Sequence, residues 1–190
     1  MGAGGRSVVE TCARLYESIA AAIDRREPLA LMHTALVVTT ESGRKVIECA
    51  WPAPDEDASA RGVQTVGPVF ARFLRRFRVF RYEVRCWDDG NIPDLECAVA
   101  STRISEHLNE ARRVVAAVSS VPAHRWGRDE LGTGEMWNSN SVISYVLVSA
   151  GVPIADVEPP PGGRAPGWTS GMAAARSPAG WDQRPLSSRQ

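Results

Sequence analysis

Two apolar, β-branched runs separated by a short turn-forming stretch constrain this chain more than any other feature. LALMHTALVVTT (residues 29–40) and KVIECAWP (residues 45–52) flank Glu41-Ser42-Gly43-Arg44. Strand-forming runs joined by a short glycine-containing loop predict an antiparallel hairpin. Just upstream, Val8, Cys12, Leu15, Ile19 and Ile23 recur at helical spacing, which predicts an amphipathic helix with that stripe turned inward. A helix followed directly by a hairpin points to an α+β domain in which a small antiparallel sheet packs against helices.

The remaining elements extend that plan. Residues 53–65 are polar, with Pro54, Asp55, Glu56 and Asp57, and read as a surface loop. Pro68 is expected to open a helix through Phe70, Phe73, Leu74 and Phe77, with Arg72, Arg75 and Arg76 outward. VFRYEVRCW supplies a third strand that Asp88, Asp89 and Gly90 end. A long helix is predicted over residues 101–119, with Ile104, Leu108, Val115 and Val118 inward. WNSNSVISYVLVSAG reads as a short buried helix, with Asn138 or Ser139 as N-cap and Gly151 as its stop. Residues 1–152 form one domain on this reading. Residues 153–190 are proline- and glycine-rich with few aliphatic residues, and make an extension that wraps the domain, pinned by Trp168 with Trp181 as a second anchor, and frays at its end.

Bulk numbers narrow the function classes. The 22 basic residues of the 190 cancel 22 acidic ones, which disfavours a nucleic-acid partner and a protein drawn to membranes by net charge. No run approaches the ~18 apolar residues of a membrane span. The start, MGAGGRSVVE, lacks the apolar stretch of a secretory signal, and Arg6 stands where a myristoylation site wants Ser or Thr. Cys12, Cys49, Cys86 and Cys97 are scattered, as reduced buried thiols are in a cytoplasmic bacterial protein. His33 with Cys49, Cys86 and Cys97 lacks metal-ligand spacing, so no metal and no cofactor is expected. The acidic run at 55–57 lacks the alternation and glycine of a calcium loop, and GAGG has neither a strand before it nor the lysine of a phosphate loop. The Arg72, Arg75, Arg76, Arg78 cluster is either a solvated helix face or an anion- or protein-partner patch.

Chemistry concentrates in GTGEMWNSNSVISYVLVSAGV. A Gly-Thr-Gly loop leads into Asn138-Ser139-Asn140-Ser141, and an apolar helix begins at once. A hydroxyl at a helix start faces outward-pointing N–H groups, which favour a nucleophile and an oxyanion there. Asn and Ser are equally the residues that cap any helix. His33 is the second feature, a polar side chain inside an apolar run that must find a partner. It is either a core histidine bonded to a carbonyl or a general base on a rigid strand. Glu48, in the returning strand, is either the group that orients its ring across the hairpin or an outward carboxylate on a surface strand. Trp137, just before the box, and Asn140 within it are substrate-contacting candidates, while His107 and His124 read as solvent-facing.

The order of elements, with a histidine on an early strand and an Asn-Ser box opening a later helix, resembles the circularly permuted branch of the NlpC-like, papain-like superfamily. Lecithin retinol acyltransferase-like proteins share that order, and their Asn-Cys-Glu-His-Phe box lines up with Asn138-Ser139-Asn140-Ser141-Val142. A bacterial group with a P-N-S-N-T-F box and a downstream P-G-W segment is similar to this chain at Pro166-Gly167-Trp168. The resemblance spans roughly residues 29–168 and rests on two short boxes and their order. It implies a permuted papain-like fold and a hydrolase or acyltransferase acting on an amide, thioester or ester of a small-molecule or peptide substrate. His33 takes the base position, Ser139 the nucleophile position, Glu48 the orienting position and Asn138 a place beside the oxyanion. The family nucleophile is Cys, and a serine hydroxyl is far less acidic, so a placed base becomes essential. The alternative is a catalytically inactive papain-like fold that binds a peptide or small molecule. A third reading is an interaction protein that uses the Arg-rich helix and the tail.

Overall fold

The chain reverses direction over Glu41 and Ser42, and Gly43 takes the left-handed φ of 119° that lets β3 start directly after the turn. We describe residues 8–52, 62–90, 92 and 98–177 of a computed structural model, with side chains from residue 16 onward. The elements run α1 (Val8–Asp24), β1 (Ala30–Leu31), β2 (Leu36–Thr40), β3 (Gly43–Ala50), β4 (Val63–Pro68), β5 (Arg81–Asp88), α2 (Leu108–Ala117), α3 (Ser139–Ser149), β6 (Gly163–Arg164) and α4 (Trp168–Arg176). β2, β3, β5 and β4 form one antiparallel sheet in that order, and β1 pairs with β6 in a second, two-stranded parallel one. The architecture is α+β in a single domain. The acidic run 55–57, the N-terminal GAGG, Cys97 and Trp181 lie outside the described residues.

The predicted hairpin forms, but its first run is split. Leu36 pairs with Ile47 at the end of the ladder, and residues 32–35 leave it. Ala30 and Leu31 instead pair with Gly163 and Arg164 of the tail. His33 therefore sits in an irregular segment between β1 and β2 and not inside a strand.

One face of the sheet carries Ile47, Cys49, Tyr82 and Val84 into the core, where they meet Val114 and Val118 around α2 and Val142, Ile143, Val146 and Leu147 of α3. Fully burying one such aliphatic side chain contributes about 1.5–3 kcal/mol, so this layer fixes where α3 lies. Side chains alternate along a strand, and the opposite face carries Glu48, Glu83 and Arg85, all buried. Arg85 bonds Glu48 and Glu83, each at 3.1 Å, and the Trp51 carbonyl at 2.7 Å.

Four expectations change. The polar loop expected to reach Thr65 gives way at Val63 to β4, which pairs with β5 through a bulge between Val63 and Thr65. Gly67 belongs to that strand because the Tyr82 ring lies across it, and a Cβ there would approach the ring within 2.0 Å. The helix expected from Pro68 is two 3-10 turns, Arg72–Arg76 and Arg78–Phe80, with no buried residue in either. A short helix gains most of its stability from packing an apolar stripe, and this segment packs none. The helix expected over 101–119 begins only at Leu108, where Ser105 Oγ accepts the His107 N–H. Ile19 and Ile23 of α1, expected inward, are exposed.

The tail is more ordered than its composition suggests. Val152 and Ile154 join the core, and α4 crosses α3 so closely that a Cβ on Gly171 would meet the Ser141 carbonyl oxygen at 2.0 Å. Upstream, the Glu17 carboxylate accepts from Arg26, from the Leu29 N–H and from Arg164, which ties α1 to β6 and to the residue just before β1.

Candidate active site

Asn138 leaves the helical conformation and caps α3. Its side-chain oxygen accepts the N–H groups of Asn140 at 2.9 Å and Ser141 at 3.3 Å, while Ser141 Oγ accepts the Asn138 N–H. This reciprocal capping box satisfies donors that a helix start leaves open, and it makes Ser139 the first helical residue. Oγ of Ser139 lies 2.6 Å from Nδ1 of His33, 106 positions earlier in the chain.

The other polar residues of the box hold this contact in place. Asn140 donates to the carbonyls of Met32 at 3.0 Å and Pro166 at 2.9 Å, and its oxygen accepts the Thr34 hydroxyl at 2.9 Å. The residues on both sides of His33 are thereby tied to the residue after Ser139. Asn138 gives one amide hydrogen to the Pro166 carbonyl at 2.8 Å. Ser141 donates to the Gly167 carbonyl at 2.7 Å and Ser144 to that of Trp168 at 2.8 Å. Gly167 is required here. Its φ is 92°, and a Cβ would press within 2.7 Å of Asn138 Oδ1, the Met136 carbonyl and Ser141 Oγ. A serine- and asparagine-rich run thus serves as a polar clamp between α3, the segment carrying His33 and the start of α4.

Each candidate residue has a definite place in this arrangement. His33 and Ser139 come together. Glu48 meets Arg85 on the face of the sheet that alternates away from the core side, which α3 covers. The register explains the separation: Leu36 opposite Ile47 would put Ala35, not His33, across from Glu48, and the chain leaves the ladder before that point. Trp137, a candidate substrate contact, is 1% exposed, donates its ring N–H to the Tyr82 hydroxyl at 2.9 Å and belongs to the core. Asn140 is 2% exposed, with its oxygen and both amide hydrogens engaged. Asn138 keeps one amide hydrogen outside the cap.

His124 is buried, not solvent-facing, packed edge-on against Trp137 with ring centroids 4.8 Å apart. It contacts Glu130, which also bonds the backbone and guanidinium of Arg125. Burial favours the neutral carboxyl of Glu130, but these bonds outweigh it and hold the group well below the usual carboxylate range.

Thr34 and Pro166, central to the clamp, carry only faint signals in the sequence. Thr34 is a hydroxyl next to a candidate base, and Pro166 is part of the P-G-W segment.

His33 also lines a cavity of about 850 Å3. Met32, His33 and Thr34, Leu36 and Val38 of β2, and residues 98–108, 157–160 and 163–165 are among its lining. Ile143 and Leu147 of α3 face the cavity, whereas Ser139, 5% exposed, does not line it. Its volume suits a small organic or peptide ligand. The chain matches no known family model, no curated protein and no solved structure.

Proposed function

We propose that this protein is a hydrolase or acyltransferase that uses Ser139 as nucleophile and His33 as general base on an amide, thioester or ester. The single observation that carries this reading is the 2.6 Å approach of His33 Nδ1 to Ser139 Oγ at the start of a capped helix. That distance is within hydrogen-bond reach for proton transfer.

With its single ring proton on Nε2, His33 presents the Nδ1 lone pair to the Ser139 hydroxyl. Oγ attacks the carbonyl carbon, its proton passes to Nδ1, and the carbonyl electron pair moves to oxygen. The backbone N–H of the first helical residue has no partner within the helix, so the N–H of Ser139 itself, with the positive end of α3 behind it, receives the oxyanion. Asn138 supplies a second donor through the amide hydrogen that Pro166 does not take. Collapse of the intermediate expels the leaving group, which takes the proton from His33. Water then attacks the acyl-serine by the same route, or a second nucleophile does so and completes an acyl transfer.

The burial of Ser139 favours a second reading, in which the cavity beside His33 binds a peptide or small molecule without turnover. A fluorophosphonate probe separates the two, because it forms a covalent adduct only with an activated serine. The expected result is one adduct on Ser139 by mass spectrometry, absent in Ser139→Ala and slowed about 100-fold or more in His33→Ala. Melting curves of both variants serve as controls for folding. No adduct on Ser139 in the intact protein overturns the enzyme reading and leaves the binding one.

A further inference from the structure

The segment FARFLRRFRVFR, residues 70–81, contains only aromatic, aliphatic and arginine side chains. It has five arginines, no carboxylate and no neutral hydrogen-bonding side chain. The structure turns both chemistries outward. Phe70 is 62% exposed, Phe73 66%, and Val79 73%, with Phe77 also exposed and Arg72, Arg75, Arg76 and Arg78 spread among them. These four apolar residues are over a third of the eleven large hydrophobic residues exposed among those described. The Arg76 guanidinium lies over the Phe77 ring at 4.7 Å. Phe70 takes a left-handed φ of 62°, which is uncommon for a bulky residue.

We infer that this segment docks the protein on an anionic lipid surface, with Phe70, Phe73, Phe77 and Val79 entering the headgroup–acyl boundary and the arginines bound to lipid phosphates. A membrane surface asks for these two chemistries together, apolar rings to insert and cations to meet phosphate. A protein partner would call for hydrogen-bonding groups as well, and the segment offers none beyond arginine. The balanced total charge conceals a segregated one. Residues 70–81 carry +5, so the rest of the chain carries −5. That remainder repels a long polyanion that would wrap the molecule, whereas a flat anionic surface need meet only this segment, in which Arg72 is also paired with Glu130 at 3.6 Å.

The segment is firmly mounted. Val69 N–H bonds the Phe80 carbonyl at 2.8 Å and closes the loop, and Trp126 N–H bonds the Pro68 carbonyl at 3.0 Å at its foot. The partly exposed Trp51 packs on Trp126 with ring centroids 5.6 Å apart, adding an amphipathic ring of the kind enriched at membrane interfaces. Residues 126 and 137 are also bridged, so the foot of the segment is two bridges from the residue that precedes the α3 cap. The surface needs no activity at Ser139 for its function.

The test is flotation of the full chain with vesicles of phosphatidylcholine alone and of phosphatidylcholine with phosphatidylglycerol. Binding is expected to the mixed vesicles only and to weaken as salt is raised. Arg75→Gln with Arg76→Gln should lower affinity roughly thirty-fold, at about one tenfold step per 1.4 kcal/mol and about 1 kcal/mol per arginine. Phe73→Ser with Val79→Ser, which leaves every arginine in place, should also abolish flotation, and circular dichroism melts of both variants should match the parent. Absence of flotation with mixed vesicles overturns the inference. So does binding that neither double variant changes, or binding to poly(U) that both variants lose while vesicles are ignored.

Discussion

The hydroxyl of Thr34 donates to Oδ1 of Asn140 across 2.9 Å, and the next residue back on each strand of chain, His33 and Ser139, meets at 2.6 Å. Two adjacent bonds thus join two segments 106 positions apart. The outer bond is neutral and structural, and it sets the position of the inner one. Thr34→Val keeps the shape and removes the donor, leaving a buried oxygen without its bond. Urea unfolding should show a loss of about 1–3 kcal/mol. Displacement of the His33 ring should slow fluorophosphonate labelling of Ser139 by up to about 100-fold. Thr34→Ser should restore both, and a Thr34→Val protein with unchanged labelling would separate the clamp from the site.

Gly171 should not tolerate a methyl group. On propensity alone, Gly to Ala within α4 would stabilise the helix by about 1 kcal/mol. The crossing reverses that sign, because the Cβ would lie 2.0 Å from the Ser141 carbonyl oxygen, which is backbone and cannot rotate away. Gly171→Ala is expected to destabilise the protein by about 1–3 kcal/mol, read as a lower urea midpoint. Its Ser139 labelling should slow as well, since Ser141 belongs to the cap.

Acid should weaken the loop beneath Trp137. The Glu130 carboxyl has its folded-state pKa depressed by the bonds from His124 and Arg125. A depressed acid contributes stability above its unfolded pKa, and that contribution is lost as pH falls. Melting temperatures of the parent and of Glu130→Gln should therefore differ most at neutral pH. The gap should narrow as pH drops through and below the ordinary carboxylate value of 4.5. A gap that stays constant to low pH would mean that shape, not charge, makes the contribution.

Ser139→Cys replaces the hydroxyl at the start of α3 by a thiol. A thiol at a helix start beside a histidine ionises readily, so iodoacetamide should alkylate Cys at 139 at least tenfold faster than in the variant that also carries His33→Ala. Peptide mass spectrometry reads alkylation at position 139 separately from Cys12, Cys49, Cys86 and Cys97, and burial pushes the Cys49 and Cys86 thiols up from their ordinary value. Equal rates with and without His33 would show that the 2.6 Å contact does not activate position 139.

Periodicity and residue type identified the elements whose signals are local. The Leu36–Ala50 hairpin, α1 and α3 were legible because strand alternation, helical spacing and an Asn-Ser cap act within a few residues. So were His33 and Ser139, as a polar residue in an apolar run and a hydroxyl at a helix start. Tertiary packing decided the rest. The split of the first run, with Ala30 and Leu31 paired to residues of the tail, depends on partners more than 130 positions away that no local pattern encodes. Glu48 was assigned to His33 by hairpin proximity, but register and the buried charge of Arg85 took it to the other face of the sheet. The segment after Pro68 has a helical spacing of aromatics, yet it forms 3-10 turns because none of the described residues buries its apolar side. The glycine- and proline-rich tail forms α4 because Gly171 permits a close crossing of α3. A chain's local preferences settle which residues can cap, turn or alternate. Which of them meet is settled by burial and register, and those exist only once the whole molecule has closed.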